Sequence, residues 1–100
     1  MKFPKSFELG GFTFTVKWVS NKQIRKEAGG DCWGYSQPAA GTIVLNKRML
    51  KYQPFLAEQT FNHELMHCIL WVVKTELWKD EALVDGIGHA LLQVKKSSKY

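Results

Sequence analysis

Within Thr60-Phe61-Asn62-His63-Glu64-Leu65-Met66-His67-Cys68-Ile69-Leu70-Trp71, two histidines stand four residues apart with a glutamate directly after the first. On an α-helix that spacing stacks both imidazoles on one face, so the pair can bind one tetrahedral metal ion without rearrangement of the chain. Glu64, one position on, falls beside the open coordination position, where a carboxylate can take a proton from water that the metal activates. The flanking residues Leu65, Met66, Cys68, Ile69, Leu70, Trp71, Val72 and Val73 are apolar nearly all round, which describes a helix buried in its domain. Two histidines and a glutamate in such a helix lose much hydration unless something pairs them, and a metal does so directly. The competing reading is two hydrogen-bonded core histidines with a salt-bridged glutamate. It leaves the spacing unexplained.

A catalytic zinc site usually has three protein ligands and one open position. Downstream of His67 the candidates are Glu76, Glu81, Asp85 and His89. Glu81 and Asp85 are four apart, so one could bind the metal while the other orients a ligand imidazole through its second ring nitrogen. Helix geometry leaves the choice open. A first helix running straight to Leu77, with the second returning antiparallel, sets His67 near His89; an early end or a steep crossing brings Glu81 to it instead. Cys68 reads as core packing and His89 alone as a solvent-facing or capped histidine.

The elements that must position these groups follow from periodicity. Phe7-Glu8-Leu9, Gly10-Gly11 and Phe12 to Val19 read as a strand, a tight turn and a longer strand; Phe12, Phe14, Val16 and Trp18 share one face of the latter. Ser20 to Ala28 is polar apart from Ile24, a loop or short surface helix ended by Gly29-Gly30. Cys32 to Ser36 is a weaker strand, Gln37 to Gly41 a turn and Thr42 to Asn46 a strongly β-prone strand. The expectation is an α+β fold: an antiparallel sheet of three or four strands over about 6–46, a metal helix over about 54–76 opened by Pro54, and a second helix over about 80–96. Asp80 suits the second helix as N-cap, and Leu83, Ile87, Ala90, Leu91 and Val94 are its buried stripe. Gly86 and Gly88 lie inside it, a sign of close approach to the metal helix.

The chain of 100 residues reads as one domain, 1–100, large enough to bury roughly 60–65% of its unfolded surface. Its hydrophobic content of 45% places it among globular rather than disordered chains. The longest apolar run, Cys68 to Val73, is far short of the ~20 residues a membrane span needs. The first residues have a basic flank but no apolar core, so no signal peptide is expected, and Cys32 and Cys68 are expected as free thiols in a reducing cytoplasm. The net charge of +5 is scattered along the chain without a nucleic-acid-binding fingerprint, so solvated faces and a basic tail account for it.

His63-Glu64-x-x-His67 followed by Glu81-x-x-x-Asp85 resembles the gluzincin metallopeptidases, and at this length the minigluzincins. The chain is more closely similar to small phage and bacterial proteins with a β-rich start, a Thr-x-x-His-Glu-x-x-His helix and a final Glu-x-x-Val helix. The resemblance covers roughly residues 40–95 by motif and the N-terminal third by strand pattern alone. It implies a zincin-like minimal domain and a zinc peptidase of the cytoplasm, that of the host cell if phage-encoded. It further implies Zn²⁺ on His63, His67 and Glu81, Glu64 as general base, Asp85 supporting a zinc histidine, and a peptide or protein substrate. Tyr35, Tyr52, Arg48 and His89 are oxyanion-stabilising candidates by residue type, and Thr42 to Asn46 could receive an extended substrate if it is the sheet edge. The alternative is a non-catalytic, zinc-stabilised protein whose basic surface binds a protein or nucleic-acid partner.

Overall fold

The computed structural model describes residues 3–73 and 79–97, with side chains throughout except at 94–96. β1 (Ser6–Leu9) and β2 (Phe12–Val19) form a hairpin whose two-residue turn, Gly10-Gly11, has φ of 58° and 84°. Positive φ at both turn residues is what a hairpin twisted in the native sense requires, and glycine adopts it without strain. Phe14 and Val16 point into the core while Thr13, Thr15 and Lys17 face solvent, the alternation expected of a strand buried on one face.

α1 (Asn21–Ala28) then crosses the sheet. Ser20 caps it by accepting a hydrogen bond from the Gln23 N–H at 3.2 Å, Gly29 ends it at φ 76°, and Ile24 is its single fully buried residue. β3 (Gly34–Gln37) returns antiparallel to β4 (Thr42–Asn46) through one turn of 3-10 helix, Pro38–Ala40. The four strands lie in the order β1-β2-β4-β3.

The sheet is therefore mixed, not wholly antiparallel as the sequence pattern suggests: β4 inserts beside β2 and runs parallel to it, Val16 opposite Ile43 and Trp18 opposite Leu45. The cause is β3. α1 leads from the end of β2 to the start of β3 at the same end of the sheet, and β3 runs back along the outer edge. β4 therefore starts from the same end as β2 and fills the place between them. β4 is thus interior, with Ile43 to Asn46 all buried, and cannot accept an added strand; the edge beside it is β3.

α2 (Arg48–Tyr52) leads into α3 (Pro54–Val72), which opens on Pro54 and lies on one face of the sheet. Ala57, Phe61 and Cys68 of α3 join Phe14, Val16, Ile43, Leu45 and Met49 in the core. α3 ends at Val72, where the Val73 N–H closes onto the Ile69 and Trp71 carbonyls; residues 74–76 of the expected helix lie outside the described residues. α4 (Glu81–Ser97) starts at Asp80, whose Oδ1 accepts the Leu83 N–H at 3.0 Å, and packs along α3. Gly88 is buried with its Cα against the His63 backbone, whereas Gly86 faces open space, so the close approach expected of both glycines belongs to Gly88 alone.

Candidate metal centre

Two faces of α3 build the site. The stripe Ala57, Phe61, Glu64 and Cys68 is buried toward the sheet, because residues three and four apart share a helix face. The neighbouring stripe Gln59, His63 and His67 meets α4 in antiparallel register. Each turn along α3 is answered by a turn back along α4: Gln59 stands beside His89, His63 beside Asp85, and His67 beside Glu81.

The Nε2 atoms of His63 and His67 lie 3.2 Å apart. Glu81 Oε2 is 3.0 Å from the first and Oε1 is 3.2 Å from the second. One ligand atom from each of the three residues lies within 4.8 Å of the others. Two imidazole nitrogens and a carboxylate turned toward one point form a donor set that suits a divalent cation of the zinc type, and three protein donors leave a coordination position open. The residues present fit the ion. Of the candidates Glu81, Asp85 and His89, it is Glu81 that stands within reach of both ring nitrogens: α3 ends at Val72, and Glu81 rather than His89 lies opposite His67. Glu76 lies outside the described residues.

Asp85 Oδ1 is 3.5 Å from His63 Nδ1 and 3.3 Å from His89 Nε2. It therefore faces the ring nitrogen of His63 that points away from the cluster, the position from which a carboxylate orients a ligand histidine. Gln59 Nε2 stands 3.1 Å from the His89 ring.

Glu64 is 6% exposed, is hydrogen-bonded to Ser36 of β3, and lines the same cavity as His63, His67 and Glu81 without being one of the three clustered donors. Burial pushes its carboxyl above the ordinary carboxylate range, and the charge of Glu81 adds to this; His63, a hydrogen bond donated by the Ser36 hydroxyl, and His67 pull the other way. The Ser36 bond follows from strand register. Ser36 pairs with Ile43 and Gly34 with Leu45, so both face α3, while Tyr35 between them points to the opposite face. There the Tyr35 hydroxyl donates to Glu27 at 2.7 Å, and burial with that carboxylate pushes its pKa up to about 12. The Tyr35 side chain is thereby removed from the oxyanion candidates. Tyr52 is 63% exposed, and Arg48 lines a different cavity, so neither belongs with the cluster.

Two cavities of about 320 and 290 Å³ meet at Gly34, His63 and Glu64, forming a groove between α3 and the edge strand β3. Lys79 and Glu81 stand at one end, Trp33, Asp85 and His89 at the other. Sequence reasoning missed Ser36, Gly34, Gln59 and Lys79. Only the β character of the stretch around Ser36 was a signal for any of them.

An α+β chain whose helix presents two histidines to a glutamate on a second helix, beneath a sheet edge, is consistent with a small zincin-like domain. The chain belongs to the SprT-like family, which matches residues 3–82. No curated protein and no solved structure matches it significantly.

Proposed function

We propose that the chain is a zinc-dependent peptidase. The observation that carries this reading is Glu64: a carboxylate beside the His63, His67 and Glu81 cluster, yet not part of it, has no use in a purely structural site. Membership of the SprT-like family, a zincin-like metallopeptidase type, supports it, as does the wider motif likeness to the minigluzincins.

Zinc held by His63, His67 and Glu81 would supply Lewis acidity toward a scissile carbonyl and toward water. Glu64 accepts the proton of the attacking water and returns it to the departing amine, so that one amide C–N bond is exchanged for a C–O bond and an N–H bond. Its raised affinity for a proton lies in the direction this shuttling needs near neutral pH. Ser36 holds the carboxylate in place, and Asp85 holds His63. A substrate in extended form adds to the exposed edge of β3, whose backbone lines the groove. Lys79, at the end of the groove beside Glu81, is a cation within the cavity where negative charge on a carbonyl oxygen would develop.

The test is Glu64→Gln. The amide is nearly isosteric, so metal content measured by elemental analysis and the fold measured by circular dichroism should match wild type. Hydrolysis of a broad peptide library should fall by about 10²–10⁴, since the amide cannot accept the proton. Equal cleavage by the zinc-loaded variant removes Glu64 from the chemistry. Stoichiometric zinc with no cleavage by wild type favours the zinc-stabilised binding protein.

A further inference from the structure

A third cavity of about 480 Å³ lies beyond the groove, lined by Asn21, Arg25, Asp31, Cys32, Trp33 and Arg48. Three of its lining residues, Asn21, Cys32 and Arg48, are tied together by Asn46, which is wholly buried. The Asn46 amide donates to Asn21 Oδ1 at 2.7 Å and to the Cys32 carbonyl at 3.4 Å, while its Oδ1 accepts the Arg48 N–H at 3.0 Å. One side chain thereby fixes the start of α1, the approach to β3 and the start of α2, the segments that carry the arginines. Arg25 Nε binds Asp31 at 2.9 Å, and Arg48 makes no ion pair among the described residues. Two guanidinium groups and one carboxylate leave the walls with a surplus of one positive charge. A guanidinium has five donors in a fixed fork, which matches a carboxylate or a phosphate in bidentate geometry, and of these a peptide supplies the carboxylate.

Trp33 lines both this cavity and the groove at the metal centre, and it is 39% exposed. β3 begins at Gly34, so the path from the groove over Trp33 to the arginines follows the chain back from that strand. A peptide added antiparallel to β3 therefore passes the metal centre first and the arginines afterwards, on the carboxyl side of the bond to be cut. Antiparallel pairing is the more stable geometry per residue. Residues 31–33 lie outside the strand and bend at Trp33, so at about 3.3 Å per extended residue the step from Gly34 back to Asp31 is at most roughly 10 Å, within the reach of a side chain two to four residues along the substrate.

We infer that the cavity between Arg25, Trp33 and Arg48 is a substrate subsite for an acidic side chain, aspartate or glutamate, two to four residues to the carboxyl side of the scissile bond. The inference rests on the peptidase reading for its orientation, and its test by binding does not need turnover.

Fluorescein-labelled peptides blocked at both ends, with one glutamate scanned through otherwise neutral positions, are titrated by anisotropy onto the full chain carrying Glu64→Gln in the presence of zinc. At one position glutamate should bind about five- to tenfold tighter than glutamine, between the scale of an exposed ion pair and that of a buried charge-assisted bond. Arg48→Gln should erase that difference, and Arg48→Glu should make a lysine peptide the better ligand. Arg48 is exposed, so neither change disturbs the core. Equal binding of the glutamate and glutamine peptides at every position overturns the subsite, as does a preference that survives both Arg48 variants. A gain that appears only when the same peptides are remade with a free C-terminal carboxylate overturns the assignment to an internal residue. Library cleavage by the wild-type chain separates the two readings: cuts without an acidic preference retain the peptidase and overturn the subsite, whereas an Arg48-dependent preference without cuts supports the subsite and counts against the peptidase.

Discussion

Glu81 and Asp85 sit one turn apart on α4 and make different contacts. Glu81 offers an oxygen to each histidine Nε2 of the cluster, whereas Asp85 stands between the outer nitrogen of His63 and His89 Nε2. Glu81→Ala should therefore abolish stoichiometric zinc binding, while Asp85→Ala should weaken it about 10–100-fold, as loss of a ligand-orienting partner does. Competition with a chromophoric chelator measures both; equal losses would mean that Asp85 shares the metal directly. Ser36 acts on Glu64 by donating to its charged form, which lowers the carboxyl pKa. Ser36→Ala removes that preference, so the Glu64 pKa rises and the acid limb of kcat/KM should move to higher pH. An unmoved limb would show that the hydroxyl has no influence on the base.

At the scale of elements, the groove depends on how closely β3 approaches α3, and Gly34 sets that distance. A methyl group there would stand 2.8 Å from Leu45 Cδ2, 2.9 Å from the Val44 carbonyl oxygen and 3.1 Å from Thr60 Cγ2. The carbonyl cannot turn aside without breaking the ladder, so Gly34→Ala should destabilise the fold by about 1–3 kcal/mol, as overpacking typically does. Gly86 is the opposite case: it lies inside α4 with open space around its Cα, and Gly86→Ala should raise stability by about 1 kcal/mol through helix propensity alone. Urea denaturation of the two variants would check the contrast, and a neutral Gly34→Ala would mean that β3 can withdraw from α3.

For the molecule as a whole, the candidate metal site lies between α3 and α4, two helices packed along each other. Any zinc bound by the native chain and not by the unfolded one stabilises the fold, by about 2.7 kcal/mol at a free concentration one hundred times Kd. For a chain of 100 residues that amounts to a fall in Tm on the order of 10 °C when a chelator strips the ion. Calorimetry with and without chelator reads it directly; identical curves would mean that the helix pair needs no ion. No helix among the described residues is long and apolar enough to cross a membrane.

What could be read from the chain alone is what depends on neighbours along it. The i, i+4 pair His63 and His67, the glutamate beside them, the Gly10-Gly11 hairpin, β4 and the Asp80 cap all rest on short-range spacing, and each stands where that spacing puts it. The tertiary structure decided whatever depends on register between distant segments. The place of Glu81 opposite His67 rests on where α3 stops, and helix ends are set by packing and capping that periodicity does not encode. The parallel pairing of β2 with β4 rests on β3 taking the outer edge and returning the chain to the end where β2 starts, which leaves the inner place to β4. Ser36 faces Glu64 because of a register in which a slip of one residue would present Tyr35 instead.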